Sequence, residues 1–158
     1  MKKIRMPEIK VGIWLDQEKA YIIRIVGSEY PIIEKIKSDV ESRVRFPGEV
    51  KAFTQFGNSL IDNQEKKQRR QRNQRHQYFK TIINSILDVD YIYLFGPSEA
   101  RHELNNEIEK IHTIKEKVIE IKCTDRMSQE QMVQSVVNFF GSDEFRDYKR
   151  NLKKQKLV

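Results

Sequence analysis

Two spacings of hydrophobic residues alternate along the chain. Short runs of mainly apolar residues, which are typical of strands, lie at positions 11–16, 20–26, 31–40, 91–95 and 118–122. The first three runs are separated only by Gln17-Glu18-Lys19 and by the turn at Gly27-Ser28. Links this short predict that the first three strands pair as an antiparallel meander.

Apolar residues recur at helical spacing after the third strand. This spacing predicts helices over 64–87, from Pro97 to about 110, from Ser128 to 140, and in a short segment after 143. Ser128 and Gln131 have the spacing of a capping box, and Gly141 ends that helix. The core positions predicted for it are Met132, Val133, Val136, Val137, Phe139 and Phe140.

The order of these elements predicts the fold. Helices that alternate with the last two strands require parallel crossovers. We therefore expect an α/β, ribonuclease-H-like fold, in which a mixed five-stranded sheet joins a three-strand antiparallel meander to two parallel strands and carries helices on its faces. We divide the chain into a flexible basic arm at 1–10, this domain at 11–141, and a mobile basic tail at 142–158.

Charge points to a class of partner. The 158 residues include 30 Lys and Arg against 23 Asp and Glu, a net charge of +7 that favours nucleic acid. The N-terminus has no apolar signal-peptide segment, and no apolar run is long enough to span a bilayer. The single cysteine, Cys123, excludes an internal disulfide and fits a reducing cytoplasm. We expect it to be a buried small hydrophobe.

The positive charge is concentrated in the first half of the helix predicted at 64–87. Positions 66–75 contain no acid and no apolar side chain, whereas the second half carries apolar residues at helical spacing. One helix with a buried end and a projecting cationic end fits both halves, and an RNA would supply the missing counter-charge. The alternative to RNA binding is that this half of the helix is an ordinary solvent-exposed surface, but such surfaces normally carry both positive and negative charges. The predicted RNA-binding residues, called the cationic run below, are Lys66, Lys67, Arg69, Arg70, Arg72 and Arg75.

A long loop predicted at 39–63 extends this surface. Arg43, Arg45 and Lys51 are further candidates for RNA binding. Phe53 and Phe56 either stack on bases or anchor the loop to the core.

Several motifs carry a resemblance to a known family. They are the opening strand that ends in Asp16, the Arg/Lys/Gln-rich helix, the segment YIYLFGPSEARHEL at 91–104, and the capped helix after 124–127. Over most of 11–140 the chain resembles the middle domain of the eukaryotic and archaeal class-1 peptide-chain release factors and of Pelota. It is also similar to the single-domain bacterial translational machinery components.

The resemblance implies binding to the ribosome or its RNA, with the loop near the peptidyl-transferase region. In the release factors this loop carries Gly-Gly-Gln, which promotes hydrolysis of peptidyl-tRNA. The loop at 39–63 has no Gly-Gly-Gln, so we do not expect peptide release.

Two other classes of function stay open. A metal-dependent nuclease of this fold needs carboxylates that converge on two divalent metals. Asp16, Asp90, Glu99 and Asp125 lie near strand ends, where such residues also form turns and helix caps. A protein-interaction module that binds an acidic partner is the third class.

No other motif predicts chemistry. The three histidines, His76, His102 and His112, have no partners at metal-ligand spacing, and no P-loop, GxGxxG, GxSxG or HExxH pattern occurs. We therefore predict a cytoplasmic, non-enzymatic protein without cofactor or metal that binds ribosomal RNA or the ribosome in rescue, a stalling response or hibernation.

Overall fold

The computed structural model describes residues 6–38 and 57–156, and side chains over 6–38 and 62–155. The strands are β1 (Ile9–Leu15), β2 (Lys19–Val26), β3 (Ile32–Lys37), β4 (Tyr91–Gly96) and β5 (Val118–Cys123). The helices are α1 (Gly57–Asn84), α2 (Ala100–Glu109), α3 (Gln129–Phe140) and α4 (Asp143–Lys156).

The sheet confirms the predicted fold class. Its strand order is β3-β2-β1-β4-β5. β1 pairs with β2, and β2 with β3, in antiparallel orientation, while the pairs β1–β4 and β4–β5 are parallel. β1 is therefore the central strand, and β3 and β5 are the two open edges of the sheet.

Helices cover both faces of the sheet because alternate residues of a strand point to opposite sides. Ile13 of β1 packs with Ile82 of α1 and Leu104 of α2 in one buried cluster. Trp14, the next residue of β1, belongs to a second cluster with Val136 of α3. The result is a three-layer molecule in which α1 and α2 share one face and α3 and α4 share the other.

Glycine permits close packing at two points of the sheet. A Cβ added to Gly12 would lie 2.2 Å from a methyl of Val136, so α3 approaches β1 where β1 has no side chain. Gly96, the last residue of β4, has φ +147°, and a Cβ there would lie 2.3 Å from the carbonyl oxygen of Leu15. Both positions exclude a larger residue without local movement.

The structure corrects several predicted boundaries. β3 ends at Lys37 rather than at 40, although residues 39 and 40 lie outside the described part of the chain. α1 begins at Gly57, so residues 57–63 are helical rather than part of the loop. The helix ends at Asn84, since the backbone tightens into i→i+3 hydrogen bonds at Ser85 and Ile86.

The later helices confirm some predictions and correct others. The Ser128–Gln131 capping box is present, and Met132, Val136 and Phe140 are buried. Val137 is 41% exposed because it lies beside the buried stripe at 132, 136 and 140, so it is not a core residue. α2 begins at Ala100, after Pro97, so the proline is not in its first turn.

One further expectation changes at the C-terminal side of the molecule, whereas the helix predicted after 143 is present. Cys123 is exposed rather than buried, because it ends an edge strand. The basic tail is helical as far as Lys156, and Phe145 anchors it in the core.

Candidate nucleic-acid interface

The first half of α1 projects beyond the sheet. The hydroxyl of Tyr78 donates a hydrogen bond to the carbonyl oxygen of Asp16, just after the end of β1, at 3.1 Å. The part of the helix before Tyr78 therefore extends beyond the C-terminal end of β1. Its length is about 30 Å, at 1.5 Å per residue. From position 62 to 77 every side chain is exposed or half-buried, and Tyr78 is the first buried residue among the described side chains of α1.

One side of the projecting half is a stripe of cationic and titratable side chains. Arg69, Arg72, His76 and Lys80 follow one another at i, i+3, i+7 and i+11, which places them on one face of a helix. All four are exposed. This face lies beside the buried apolar face of α1, since His76 and Lys80 line the same shallow pocket as Phe79 and Ile83.

Most of the cationic run is without a counter-charge from the part of the chain that the structure describes. Among the described residues, no carboxylate pairs with Lys66, Lys67, Arg69 or Arg72. Arg75 is different, because its Nη1 lies 3.8 Å from Oε2 of Glu103. Arg70 also makes an interaction within the chain.

The second basic segment, on α4, shows the contrasting arrangement. Arg146 lies 3.6 Å from a carboxylate oxygen of Asp143, and Arg150 lies 3.7 Å from one of Asp147. Lys149 donates to Glu8 at 2.8 Å. The cations in the first turns of α4 are thus matched by acids, whereas those of the cationic run largely are not.

Side chains at the base of the projecting half fix its direction. Glu103 of α2 pairs with Arg75 and also accepts a hydrogen bond from the amide of Gln17 at 3.3 Å. Burial raises the pKa of the Tyr78 phenol, and the negative charge of Asp16 raises this pKa further. Tyr78 therefore stays a neutral hydrogen-bond donor and holds α1 against the end of β1.

The loop candidates lie outside the described residues. Arg43, Arg45 and Lys51 remain predicted RNA-binding residues, and the role of Phe53 and Phe56 remains a prediction.

Two of the carboxylates that suggested a nuclease, Asp16 and Asp90, lie at opposite ends of the strands. Oδ1 of Asp16 accepts hydrogen bonds from the backbone N–H groups of Glu18 and Lys19, both at 2.8 Å. Its Oδ2 lies 3.3 Å from Nη1 of Arg126. Asp90 precedes β4, which is parallel to β1, so it lies at the opposite end of these strands from Asp16. There it accepts a hydrogen bond from the backbone N–H of Ile9.

Asp16 is therefore a turn-forming residue with its oxygens engaged. No group of three or more His, Cys, Asp and Glu able to hold a metal ion occurs within 6–38 and 57–156.

In the same ranges, no helix has both the length and the apolarity needed to cross a lipid bilayer.

The structure also reveals features that the sequence pattern did not indicate. The Arg75–Glu103 pair joins residues of two helices, and only their packing brings them together. The sequence pattern also did not indicate the groove between α1 and β3, which is lined in part by Asn73 and Gln77. Its only sequence signal was the recurrence of amide residues among the cations.

Comparison with known proteins identifies relatives by fold alone. No protein-family model matches the sequence, and no curated protein matches it. The Pelota protein of Thermoplasma acidophilum is similar in structure, with 13% identity and a TM-score of 0.51 over 92% of this chain and 36% of that one. The archaeal translation termination factor aRF1 has 12% identity and a TM-score of 0.53 over 94% of this chain and 40% of its own.

A third similar structure comes from yeast. Dom34 of S. cerevisiae, a translation termination-like factor involved in RNA quality control pathways, has 14% identity and a TM-score of 0.55. The match covers 94% of this chain and 37% of Dom34. This chain thus spans less than half the length of each of the three structures. The likeness confirms that this chain has the fold of a region in these proteins.

Proposed function

We propose that this protein is a non-enzymatic RNA-binding protein of the cytoplasm that acts on the ribosome. The observation that carries the proposal is that, among the described residues, no carboxylate pairs with Lys66, Lys67, Arg69 or Arg72 and no side chain from 62 to 77 is buried. A cation without a protein partner gains most from a phosphate, because binding releases the counterions of the nucleic acid. The fold likeness to translation termination factors supports the ribosome as the site of action.

The base of α1 gives this proposal a mechanism. The Tyr78 and Arg75 contacts hold the helix at a fixed direction, so its cations are presented to a partner beyond the edge of the sheet. Docking on phosphates satisfies the charges and removes the repulsion between neighbouring cations that weakens this half of α1. Ribosome rescue, a stalling response and hibernation are the processes in which we place this binding.

Sedimentation of cell extract through a sucrose gradient tests the ribosome as partner. We expect the protein to migrate with ribosomal particles at low salt and to return to the top of the gradient at high salt. A protein that stays at the top at low salt contradicts the proposal. A complex that survives digestion of the RNA with ribonuclease indicates an acidic protein partner instead.

Salt dependence tests the electrostatic mechanism with purified components. If four to six phosphates are neutralised, the affinity for single-stranded RNA should fall with a log–log slope of about −3 to −4. Fluorescence anisotropy of a labelled oligonucleotide, measured over a series of KCl concentrations, gives this slope. A slope near zero would show that the cationic run does not contact phosphates.

A further inference from the structure

A groove lined by residues with polar side chains lies between α1 and the C-terminal end of β3. Its volume is about 320 Å³, and none of the described residues that line it is an acid. Lys37 lines it from β3, whereas Asn73, Gln77, Tyr78 and Thr81 line it from α1. The volume is at the low end for sites that hold a small molecule, which suits a ligand no larger than one nucleotide.

The groove side of α1 differs in chemistry from the solvent side. Asn73, Gln77 and Thr81 recur at i, i+4 and i+8 and face β3. The neighbouring stripe, which begins with Arg69 and Arg72, carries positive charge, and Arg70 of α1 also lines the groove. The helix therefore presents mainly amides toward the groove, with cations in it and beside it.

Two amides and one cation of the groove are available for a ligand. The side chains of Asn73, Gln77 and Lys37 are exposed and form no hydrogen bond or ion pair with the residues that the structure describes. By contrast, the Thr81 hydroxyl donates to the carbonyl of Gln77 at 2.8 Å, and the Tyr78 hydroxyl donates to Asp16.

The free groups match the two parts of a nucleotide. A carboxamide offers both donors and an acceptor, as the edge of a base requires. A phosphate accepts hydrogen bonds and is neutralised by a lysine such as Lys37. Bases are accessible for such contacts in unpaired RNA, whereas the deep, narrow major groove of an RNA helix hides them.

We propose that this groove holds one unpaired nucleotide of the bound RNA, an inference that rests on the proposed RNA-binding function. Asn73 and Gln77 contact the edge of the base, and Lys37 contacts a phosphate. The cationic run provides affinity without regard to sequence, and the groove adds a preference among bases.

The test compares the bases that the protein prefers before and after loss of the amides. Wild-type protein is expected to bind its best single-stranded homopolymer, among rA, rC and rU oligonucleotides, about 10-fold more tightly than its worst. In the N73A/Q77A variant this ratio should fall below about twofold while the salt slope is unchanged. Lys37→Ala should reduce the magnitude of the salt slope by about one and leave the base preference intact.

A matched control uses two exposed amides on the opposite face of the sheet. Gln134 and Asn138 of α3 have the same i, i+4 spacing and bond to each other at 2.8 Å. The Q134A/N138A variant should keep the wild-type preference, and thermal unfolding of every variant checks that the fold is retained.

The outcomes separate the two proposals. A wild-type protein that binds all three homopolymers equally, or an N73A/Q77A variant that keeps the preference, overturns the nucleotide site but leaves RNA binding intact. A wild-type protein that binds no RNA at low salt overturns both. Binding of polyglutamate in preference to RNA identifies an acidic peptide as the occupant and also overturns the nucleotide site.

Discussion

Reversing two charges of the cationic run, in the R69E/R72E variant, is expected to weaken RNA binding on the order of 100-fold at low salt. Each lost phosphate contact lowers the magnitude of the salt slope by about one, and the new carboxylates repel the RNA. The thermal midpoint should barely change, because exposed residues without partners alter stability by about 0.5 kcal/mol or less. Anisotropy titrations at several salt concentrations and thermal unfolding measure the two effects.

A control with the same change in charge distinguishes a site from a general effect of net charge. Lys153→Glu with Lys154→Glu, on exposed positions of α4, also takes the net charge from +7 to +3, two units for each of the two residues. We expect this control to retain most of the affinity. Equal losses in both variants would mean that binding follows net charge, and a large loss of stability in R69E/R72E would mean that the cationic run is structural.

Replacing Gly96 by alanine is expected to destabilise the protein by about 4 kcal/mol and lower the thermal midpoint by roughly 10 °C. At φ +147° a side chain is strained, and the added Cβ would lie 2.3 Å from the backbone oxygen of Leu15. Neither backbone can move alone, because Gly96 ends β4, the strand that pairs with β1 in the centre of the sheet. Urea and thermal unfolding, followed by circular dichroism, measure the loss.

Gly141→Ala is the matched control for this substitution. Gly141 has φ −93°, an ordinary value for alanine, and its nearest neighbour would lie 3.3 Å from the added Cβ. We expect its cost to be below about 1 kcal/mol. A Gly96→Ala protein as stable as this control would contradict the close approach of β4 to Leu15.

The fold could be predicted because the lengths of the connections restrict the topology. A three-residue turn between β1 and β2 permits only antiparallel pairing, whereas the long connection through α1 permits a parallel one. Helical spacing then placed Ile82 and Leu104 in the core, and both are fully buried. These inferences use period and length, which are properties of the sequence itself.

Boundaries and exposure could not be predicted in the same way, because they depend on neighbours in space. Gly57 favours a turn by its intrinsic preference, yet it begins α1, and no periodic apolar spacing over 57–63 indicated that start. Ile86 continues the apolar spacing of α1 and is fully buried, but it reaches the core from a turn after the helix. Cys123 is exposed because β5 is an edge strand, which only the strand order determines.

Only part of the candidate site could be predicted, because pairing between side chains also depends on neighbours in space. A run of cations without acids is visible in the sequence, but whether each cation is paired depends on the other helices. Glu103 pairs with Arg75, and no spacing rule relates residues on two different helices. The amides at Asn73 and Gln77 become a candidate site only beside Lys37, which the end of β3 brings to them.

The two outer strands of the described sheet, β3 and β5, carry charged side chains. β3 exposes Glu34, Lys35 and Lys37, and β5 carries Glu120 and Lys122. An unpaired strand can extend the sheet of another molecule, and charged side chains, lysine above all, make such self-association and fibrous aggregation unfavourable. The charges on β3 and β5 thus make edge-to-edge pairing of two copies less favourable than it would be between uncharged strands.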